Sequence, residues 1–162
     1  MKIVGKIIAG IVVLLILVLV ILRITGFPPN ERRPGLWLPG PVVATPTDWS
    51  FTDKYPEVQV QTTTWYGIPH SVTIFCTAYH GTLYIGSLVA PGTPQFGRQW
   101  NRNVLRDPHI RLKIGDNLYA LKATYVTDQA EHDGVVQNEH KKYANFKFPP
   151  GATFNIFRLS SD

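Results

Sequence analysis

The stretch "HSVTIFCTAYHGTLYIGSLV", residues 70–89, carries the pattern that decides the fold. Apolar and polar residues alternate through much of it, and a His-Gly pair divides it into two runs. Such alternation is typical of strands, and a glycine at a tight turn accepts positive φ. We therefore predict antiparallel strands at 70–79 and 82–89. The run "EVQVQTTTW" at 57–65, followed by the turn "YGIP", predicts a third strand of the same meander.

A short helix is predicted after this meander. Phe96, Trp100 and Val104 recur every four residues. A helix over about 95–106 would turn these side chains to one face and its arginines to the other. Pro108 disfavours helical backbone at the residue before it, so the helix is expected to end there.

The remaining sequence completes a mainly β domain. Strict alternation predicts a strand at 109–115, and a second one at 118–127 after the turn "DN". The polar segment 128–146 is predicted to be helical in part, and a last strand is predicted at 152–160. Phe157 interrupts the alternation of that strand, which predicts that both of its faces are buried, for example by a second subunit. About six strands with one or two helices predict a small antiparallel β-barrel, with a β-sandwich as the alternative.

The N-terminus carries an uninterrupted apolar run, "IIAGIVVLLILVLVIL", at residues 7–22. With the residues before it, this run reaches roughly 30 Å as a helix, about the thickness of the hydrocarbon core of a bilayer. We predict a single-pass signal anchor over residues 1–23. A signal peptide is the alternative, although no small-x-small cleavage site precedes the polar segment. Lipid contacts are predicted for Ile7, Leu14, Leu17 and Val20.

The charges on the two sides of this run nearly balance. Two lysines precede it, and three arginines with one glutamate follow it. A very short N-terminal tail can stay in the cytoplasm while the following domain is exported. We therefore expect a membrane protein whose folded domain is extracytoplasmic, that is, periplasmic.

Residues 24–56 are predicted to form an extended, partly anchored collar between the membrane span and a barrel over 57–162. Six of the chain's 13 prolines lie within 24–50, which excludes a long helix or a central strand. Trp37 and Trp49 are apolar anchors in this segment. We predict that they contact the membrane interface or a partner subunit, with docking on the barrel as an alternative for Trp37.

Composition excludes several classes of function. Three of the 16 basic residues flank the apolar run, which leaves 13 against 11 acidic residues and does not predict nucleic-acid binding. Cys76 is the only cysteine, which excludes an intrachain disulfide and a Cys-based zinc site, and its strand pattern predicts a small core residue. The five histidines form no metal-binding motif, and haem ligation by one of them stays open.

The order of these motifs resembles the split-barrel family of pyridoxamine-phosphate-oxidase-like and deazaflavin-dependent flavoproteins. A G-x-P-H turn at 67–70 is followed by an L-Y-I-x-S strand at 83–87. A W-x-x-N-x-x-x-D-P-x-I junction between helix and strand follows at 100–110, and a later strand leads into "VTD" at 126–128. The resemblance covers residues 57–128, and more if the last strand closes the barrel. It implies the split-barrel fold.

In this family the phosphate of a flavin is held near the end of the third strand and the start of the next helix. The resemblance implies this role for Ser87, Arg98, Gln99 and Arg102, with His70 nearby. Guanidinium groups form charge-assisted, often bidentate bonds to phosphate, and a hydroxyl adds a donor. The cofactor implied by the resemblance is FMN or a deazaflavin.

Two functions are consistent with these features. In the first, the barrel and collar dock as an accessory or structural subunit on a larger respiratory, photosynthetic or transport complex, without a cofactor. In the second, a membrane-tethered reductase uses FMN or a deazaflavin on a quinone-like or small organic acceptor. The first is favoured slightly, because "FGRQW" lacks the lysine of the family's frequent S-x-K motif and because the domain is expected to be exported. A homodimer is open in both cases.

Overall fold

The computed structural model describes residues 2–30 and 33–162, and its regular structure is mainly β, as the sequence predicts. The strands are β1 (Val58–Thr63), β2 (Pro69–Ile74), β3 (Cys76–Tyr79), β4 (Thr82–Val89), β5 (His109–Ile114), β6 (Asn117–Tyr125) and β7 (Thr153–Ser161). The helices are α1 (Lys2–Thr25), α2 (Gln99–Arg106) and α3 (Gln129–Lys142), with a 3₁₀ turn at Ser50–Lys54. Every predicted strand has a counterpart, but the strand predicted at 70–79 is divided into β2 and β3.

All seven strands form one antiparallel sheet in the order β2-β1-β5-β6-β7-β4-β3. The two edge strands, β2 and β3, follow each other in the chain and are separated by a single residue, Phe75. The two edges of the sheet therefore approach each other at this residue, and the sheet curls. The predicted antiparallel split barrel is confirmed.

The single strand predicted at 70–79 is interrupted because Phe75 packs away from its neighbours in the sheet. Its ring lies 4.5 Å from the ring of Tyr143 and 5.2 Å from that of Phe146, measured between centroids. The residues before Phe75 pair with β1, and those after it pair with β4. One predicted strand thus supplies both edges of the curled sheet.

The interior of the barrel is filled by alternate residues of the strands. Residues with at most 1% exposure include Val60, Cys76, Leu83, Ile85, Leu112 and Leu121, which confirms Cys76 as a core residue. On β7, Phe157 packs inside the barrel, 5.4 Å from the ring of Trp100. Its neighbour Ile156 lies in a second cluster with Val135 of helix α3. Both faces of β7 are therefore buried, as predicted, but the second cover is α3 and not another subunit.

Residues 26–30 and 33–43 of the predicted collar run along the barrel, and we call these residues the strap. Gly35 exchanges both backbone hydrogen bonds with Ser71 of β2, at 2.8 and 2.9 Å. Further along the strap, the Leu118 N–H in β6 donates to the Pro41 carbonyl, and the Leu118 carbonyl accepts from the Val43 N–H, each at 2.9 Å. The strap is therefore held against the barrel at two separate strands.

Trp49, which was predicted to contact the membrane or a partner, lies in the barrel core instead. Its side chain is 4% exposed, and its ring meets that of Tyr119 edge-on with centroids 5.0 Å apart. Its backbone N–H donates to the Gly81 carbonyl at 3.0 Å. The prediction for Trp49 is wrong because the chain after the strap folds back onto the barrel. Trp37 is half-buried, so its contact stays a prediction.

Helix α1 is apolar between Lys6 and Arg23, which lie near its two ends. Residues Ile3–Thr25 are long and apolar enough to cross a membrane, a test that a signal sequence also meets. None of its most apolar stretch is buried against the rest of the chain. The residues with predicted lipid contacts are 47 to 60% exposed: Ile7, Leu14, Leu17 and Val20.

Helix α2 begins at Gln99, four residues after the predicted start. Phe96 therefore precedes the helix, and its ring packs on Tyr125 at 5.4 Å. Trp100 and Val104 are 3% and 2% exposed and face the core, as predicted. The helix carries its arginines on its exposed side and leads directly into β5.

Candidate cofactor site

A cleft of about 500 Å³ opens between the strap, strands β2 and β4, and the start of helix α2. A volume of this size is common among sites for small molecules and cofactors. Val72, Leu88 and Trp100 give the cleft apolar walls, while polar and charged side chains enter it from three different elements. It lies at the junction of β4 and α2, where the family resemblance implies a bound phosphate.

Four of the five residues implied by the resemblance line this cleft: His70, Ser87, Arg98 and Gln99. The fifth, Arg102, does not. Its guanidinium donates to the Gly97 carbonyl at 2.9 Å and to Oε1 of Gln99 at 2.8 Å. Arg102 therefore holds the loop before the helix and orients Gln99, which in turn donates to Asn103 at 2.9 Å.

Arg98 is the N-cap residue of α2 and is exposed at the cleft. Within residues 2–30 and 33–162, its guanidinium has no hydrogen-bond or ionic partner. No side chain caps the helix either, so the N–H groups of its first turn lack a side-chain acceptor. A cation beside such N–H groups is a favourable environment for an anion, and for phosphate in particular.

His70 enters the cleft from β2. Its Nδ1 is buried and has no hydrogen-bond partner in the described part of the chain. Burial lowers the pKa of the imidazole, so the ring is neutral at neutral pH. A neutral imidazole offers one donor and one acceptor, and His70 can therefore bind a ligand by hydrogen bonding rather than by charge.

The hydroxyl of Ser87 already has a hydrogen-bond partner within the protein. It donates to Oδ1 of Asn101 at 2.7 Å, and Nδ2 of Asn155 donates to the same oxygen at 2.9 Å. Asn101 and Asn155 are at most 1% exposed, and sequence reasoning missed both. The available signal was an asparagine inside a helix and another inside a strand, where this residue is disfavoured unless its amide has a specific partner.

One carboxylate, Glu57, and two guanidinium groups, Arg33 and Arg98, line the cleft. Arg98 and Gln99 line only this cleft, whereas Asn30, Glu57 and Thr73 also line an adjoining cleft of about 410 Å³ that reaches Lys113. The end near Arg98 therefore suits a phosphate better than the end near Glu57. In the described ranges, no group of three or more His, Cys, Asp or Glu side chains is arranged to hold a metal ion.

No protein-family model matches the chain, and no curated protein matches it. Solved structures do show similar folds. An F420-H2-dependent reductase (FDR-A) aligns over 65% of this chain and 95% of its own, with a TM-score of 0.51 and 17% identity. A domain-swapped dimer aligns over 65% and 81%, with a TM-score of 0.51 and 17% identity.

A third similar structure is HutZ, the haem storage protein of Vibrio cholerae. It aligns over 69% of this chain and 85% of its own, with a TM-score of 0.50 and 13% identity. At identities this low the similarity concerns the fold and not the activity. The chain therefore has the split-barrel fold that its sequence motifs resemble.

Proposed function

We propose that the chain is a membrane-anchored split-barrel reductase that binds FMN or a deazaflavin in the cleft beside Arg98. The observation that carries this proposal is the guanidinium of Arg98. It lies at the mouth of a cleft of suitable volume and has no partner in the described residues. The orphaned Nδ1 of His70 lies on the same cleft and supports the same conclusion. The cleft thus favours the second of the two functions considered from the sequence.

The residues present fit such a cofactor. Arg98 and the first turn of α2 would hold its phosphate, and His70 would bind a polar group of the ring system. Val72 and Trp100 supply apolar surface for a flat ring. A bound flavin or deazaflavin supplies hydride transfer to an acceptor, while the barrel provides binding and orientation. The acceptor we propose is a quinone-like or small organic molecule.

The test is cofactor binding by the full chain in detergent. FMN and a deazaflavin are titrated separately and followed by their fluorescence. Arg98→Ala should weaken binding about tenfold or more, because hydrogen bonds to charged groups contribute about 1.5–3 kcal/mol. Arg106→Ala is the matched control, since it removes the same charge from the same helix but does not line the cleft. Equal affinities for the two variants would contradict the proposal.

We further propose that α1 is retained as a membrane anchor and that the barrel is periplasmic. An introduced cysteine at exposed Lys147 reports the side of the membrane, because the native Cys76 is only 1% exposed and should stay unlabelled. A membrane-impermeant maleimide should label Lys147→Cys in cells with a permeabilised outer membrane and an intact inner membrane. Labelling that requires disruption of the inner membrane would contradict a periplasmic barrel.

A second candidate function is an accessory subunit of a larger membrane complex. The strap favours it, because Asn30, Arg33 and Pro34 of the collar already line one side of the cleft. Protein that refuses both cofactors and purifies with stoichiometric membrane subunits would support this function over the reductase. A homodimer is compatible with both functions. Its mass in detergent, measured by light scattering, tests it.

A further inference from the structure

The chain passes from helix α1 to the barrel without a linker. The helix ends at Thr25. Two residues later, the Phe27 N–H donates to the Trp37 carbonyl at 2.8 Å, and the Phe27 carbonyl accepts from the Leu36 N–H at 2.7 Å. None of the most apolar stretch of α1 is buried against the rest of the chain, so the helix projects away from the barrel. A bilayer around α1 therefore lies close to the part of the barrel beside Gly26.

Gly26 lies beside the turn between β5 and β6, residues 115–116. A Cβ atom at Gly26 would lie 2.8 Å from the ring of Pro39. A Cβ atom at the next residue, Gly40, would lie 2.6 Å from the carbonyl oxygen of Asp116 in this turn. The end of α1 is therefore located at the end of the barrel that carries the β5–β6 turn, and we call this the near end.

The turn between β1 and β2, residues 64–68, marks the far end of the barrel. Strands β1 and β5 are antiparallel, with Gln59 opposite Lys113 and Gln61 opposite Arg111. Because the β5–β6 turn comes just after Lys113, the near end lies at the start of β1. The six residues of β1 separate the two ends by about 20 Å.

Three apolar side chains are exposed at the near end. Phe27 is 50% exposed, Val42 is 57% exposed and Phe51 is 37% exposed. Val42 pairs with the start of β6. The ring of Phe51 stacks on that of Trp49, which packs on Tyr119 near the start of the same strand. Burial of such side chains at the boundary between headgroups and acyl chains is favourable.

We propose that the near end of the barrel lies on the surface of the bilayer that α1 spans, with Phe27, Val42 and Phe51 in the interfacial layer. The partner is the lipid itself, because α1 brings this end of the barrel to the headgroups without a linker. This inference rests on the proposed membrane anchor but not on the cofactor. It also places the adjoining cleft, which Pro29 and Gly115 line, beside the headgroups.

Charges of both signs accompany these apolar side chains. Lys54 and Lys113 lie at the near end, and so do the carboxylates of Glu57 and Asp116. Attraction to anionic lipids requires a local excess of cations, which these four side chains do not provide. The apolar side chains therefore carry the contact, and it should form on phosphatidylcholine without an anionic lipid.

The experiment measures how close each end of the barrel lies to lipid headgroups. The full chain is reconstituted in phosphatidylcholine vesicles with and without lipids whose headgroups chelate nickel, which broadens the EPR lines of nearby nitroxide labels. Labels are attached at Val42→Cys and, at the far end, at Tyr66→Cys. The two positions are matched, because each native side chain is 57% exposed. The native Cys76 is 1% exposed and should stay unlabelled.

We expect nickel-dependent broadening at position 42 and none at position 66. A further label at Asp116→Cys, an exposed position in the β5–β6 turn, should be broadened as well, which excludes a local effect of replacing Val42. The inference requires broadening at both near-end positions. Equal broadening at the two ends of the barrel, or stronger broadening at position 66, would overturn it.

Resistance of the same vesicles to carbonate extraction tests the anchor separately. A chain that resists extraction but shows no broadening at positions 42 and 116 overturns the lipid contact and leaves the anchor standing. A chain that is extracted overturns the anchor, and the inference with it. Labels at the near end that are immobilised yet not broadened would show that protein covers this end. That result also overturns the inference.

Discussion

Two cations at the ends of helices that pack on the barrel have opposite surroundings. Lys142, at the end of α3, donates from Nζ to the carbonyls of Thr52 at 3.0 Å and Cys76 at 2.8 Å. Arg98, at the start of α2, has no partner in the described residues. A charged group with partners in its own chain stabilises the fold, whereas one without partners is available to a ligand. The contacts of Lys142 therefore make the α3 face structural, and the α2 face carries the proposed site.

The largest change in stability is expected from a substitution of Glu139, whose carboxyl lies on the α3 face. This residue is only 2% exposed. Burial raises its pKa from 4.5 to about 7, against the opposing effects of Lys142 and His132. The native state thus keeps a proton that the unfolded chain loses. The stabilisation is complete below pH 4.5 and is lost as the pH rises through about 7. A shift of this size corresponds to about 3 kcal/mol.

Glu139→Gln should therefore unfold at a higher urea concentration than the wild type above pH 7 and show little advantage near pH 4.5. Urea unfolding followed by tryptophan fluorescence measures both. Asp133→Asn, an exposed acidic position on the same helix, is the control and should follow the wild-type pH profile. Identical pH profiles of stability for Glu139→Gln and Asp133→Asn would show that Glu139 does not contribute to the pH dependence.

A smaller effect is expected from Tyr143→Phe on the same face. The Tyr143 hydroxyl accepts from the Cys76 N–H at 3.1 Å and lies 2.8 Å from the Cys76 carbonyl. Without the hydroxyl, a buried backbone N–H loses its partner, which costs about 2 kcal/mol of unfolding free energy. Cofactor affinity should stay unchanged. In the control variant Tyr125→Phe, only an exposed bond to Gln95 is lost, so the two urea midpoints should differ clearly.

Ser87→Ala tests a residue that lines the cleft but is engaged by the protein. We expect a loss of about 1 kcal/mol, because Asn101 keeps its second donor, Asn155. Cofactor affinity should change less than in Arg98→Ala, since the hydroxyl points to Asn101 and not to a ligand. Urea unfolding and cofactor titration on the same samples measure both quantities. An affinity loss equal to that of Arg98→Ala would make Ser87 a ligand-binding residue.

Local patterns were sufficient to predict the barrel but not how one strand is shared by its two edges. Alternation of side chains is a property of neighbouring residues, and it placed the strands correctly. The break at Phe75 depends on Tyr143, which lies far away in sequence. The predicted membrane or partner contact of Trp49 was wrong for the same reason. A proline-rich segment indicates an extended chain, but only the packing of its indole on Tyr119 shows where that chain runs.

The candidate site was predicted in part because the family motifs mark a turn, a strand and the start of a helix. The fold brings His70, Ser87 and Arg98 to one cleft. Some of these polar groups have hydrogen-bond partners within the protein and others do not. This difference depends on tertiary contacts, which the spacing of residues in the sequence does not predict. The hydroxyl of Ser87 is engaged by Asn101, which lies on a different element. Arg98 keeps its guanidinium available.

Arg98→Ala should have the smallest effect on stability and the largest on binding. Exposed side chains without partners change the unfolding free energy by less than about 0.5 kcal/mol when truncated. A cofactor that binds the native state alone raises its stability in proportion to the logarithm of its concentration. At the same cofactor concentration, the urea midpoint should therefore rise clearly in the wild type and in Arg106→Ala and distinctly less in Arg98→Ala, because a tenfold weaker affinity lowers the stabilisation by about 1.4 kcal/mol. If Arg98→Ala without cofactor were as unstable as Tyr143→Phe, Arg98 would be a structural residue and the contrast between the two faces would be wrong.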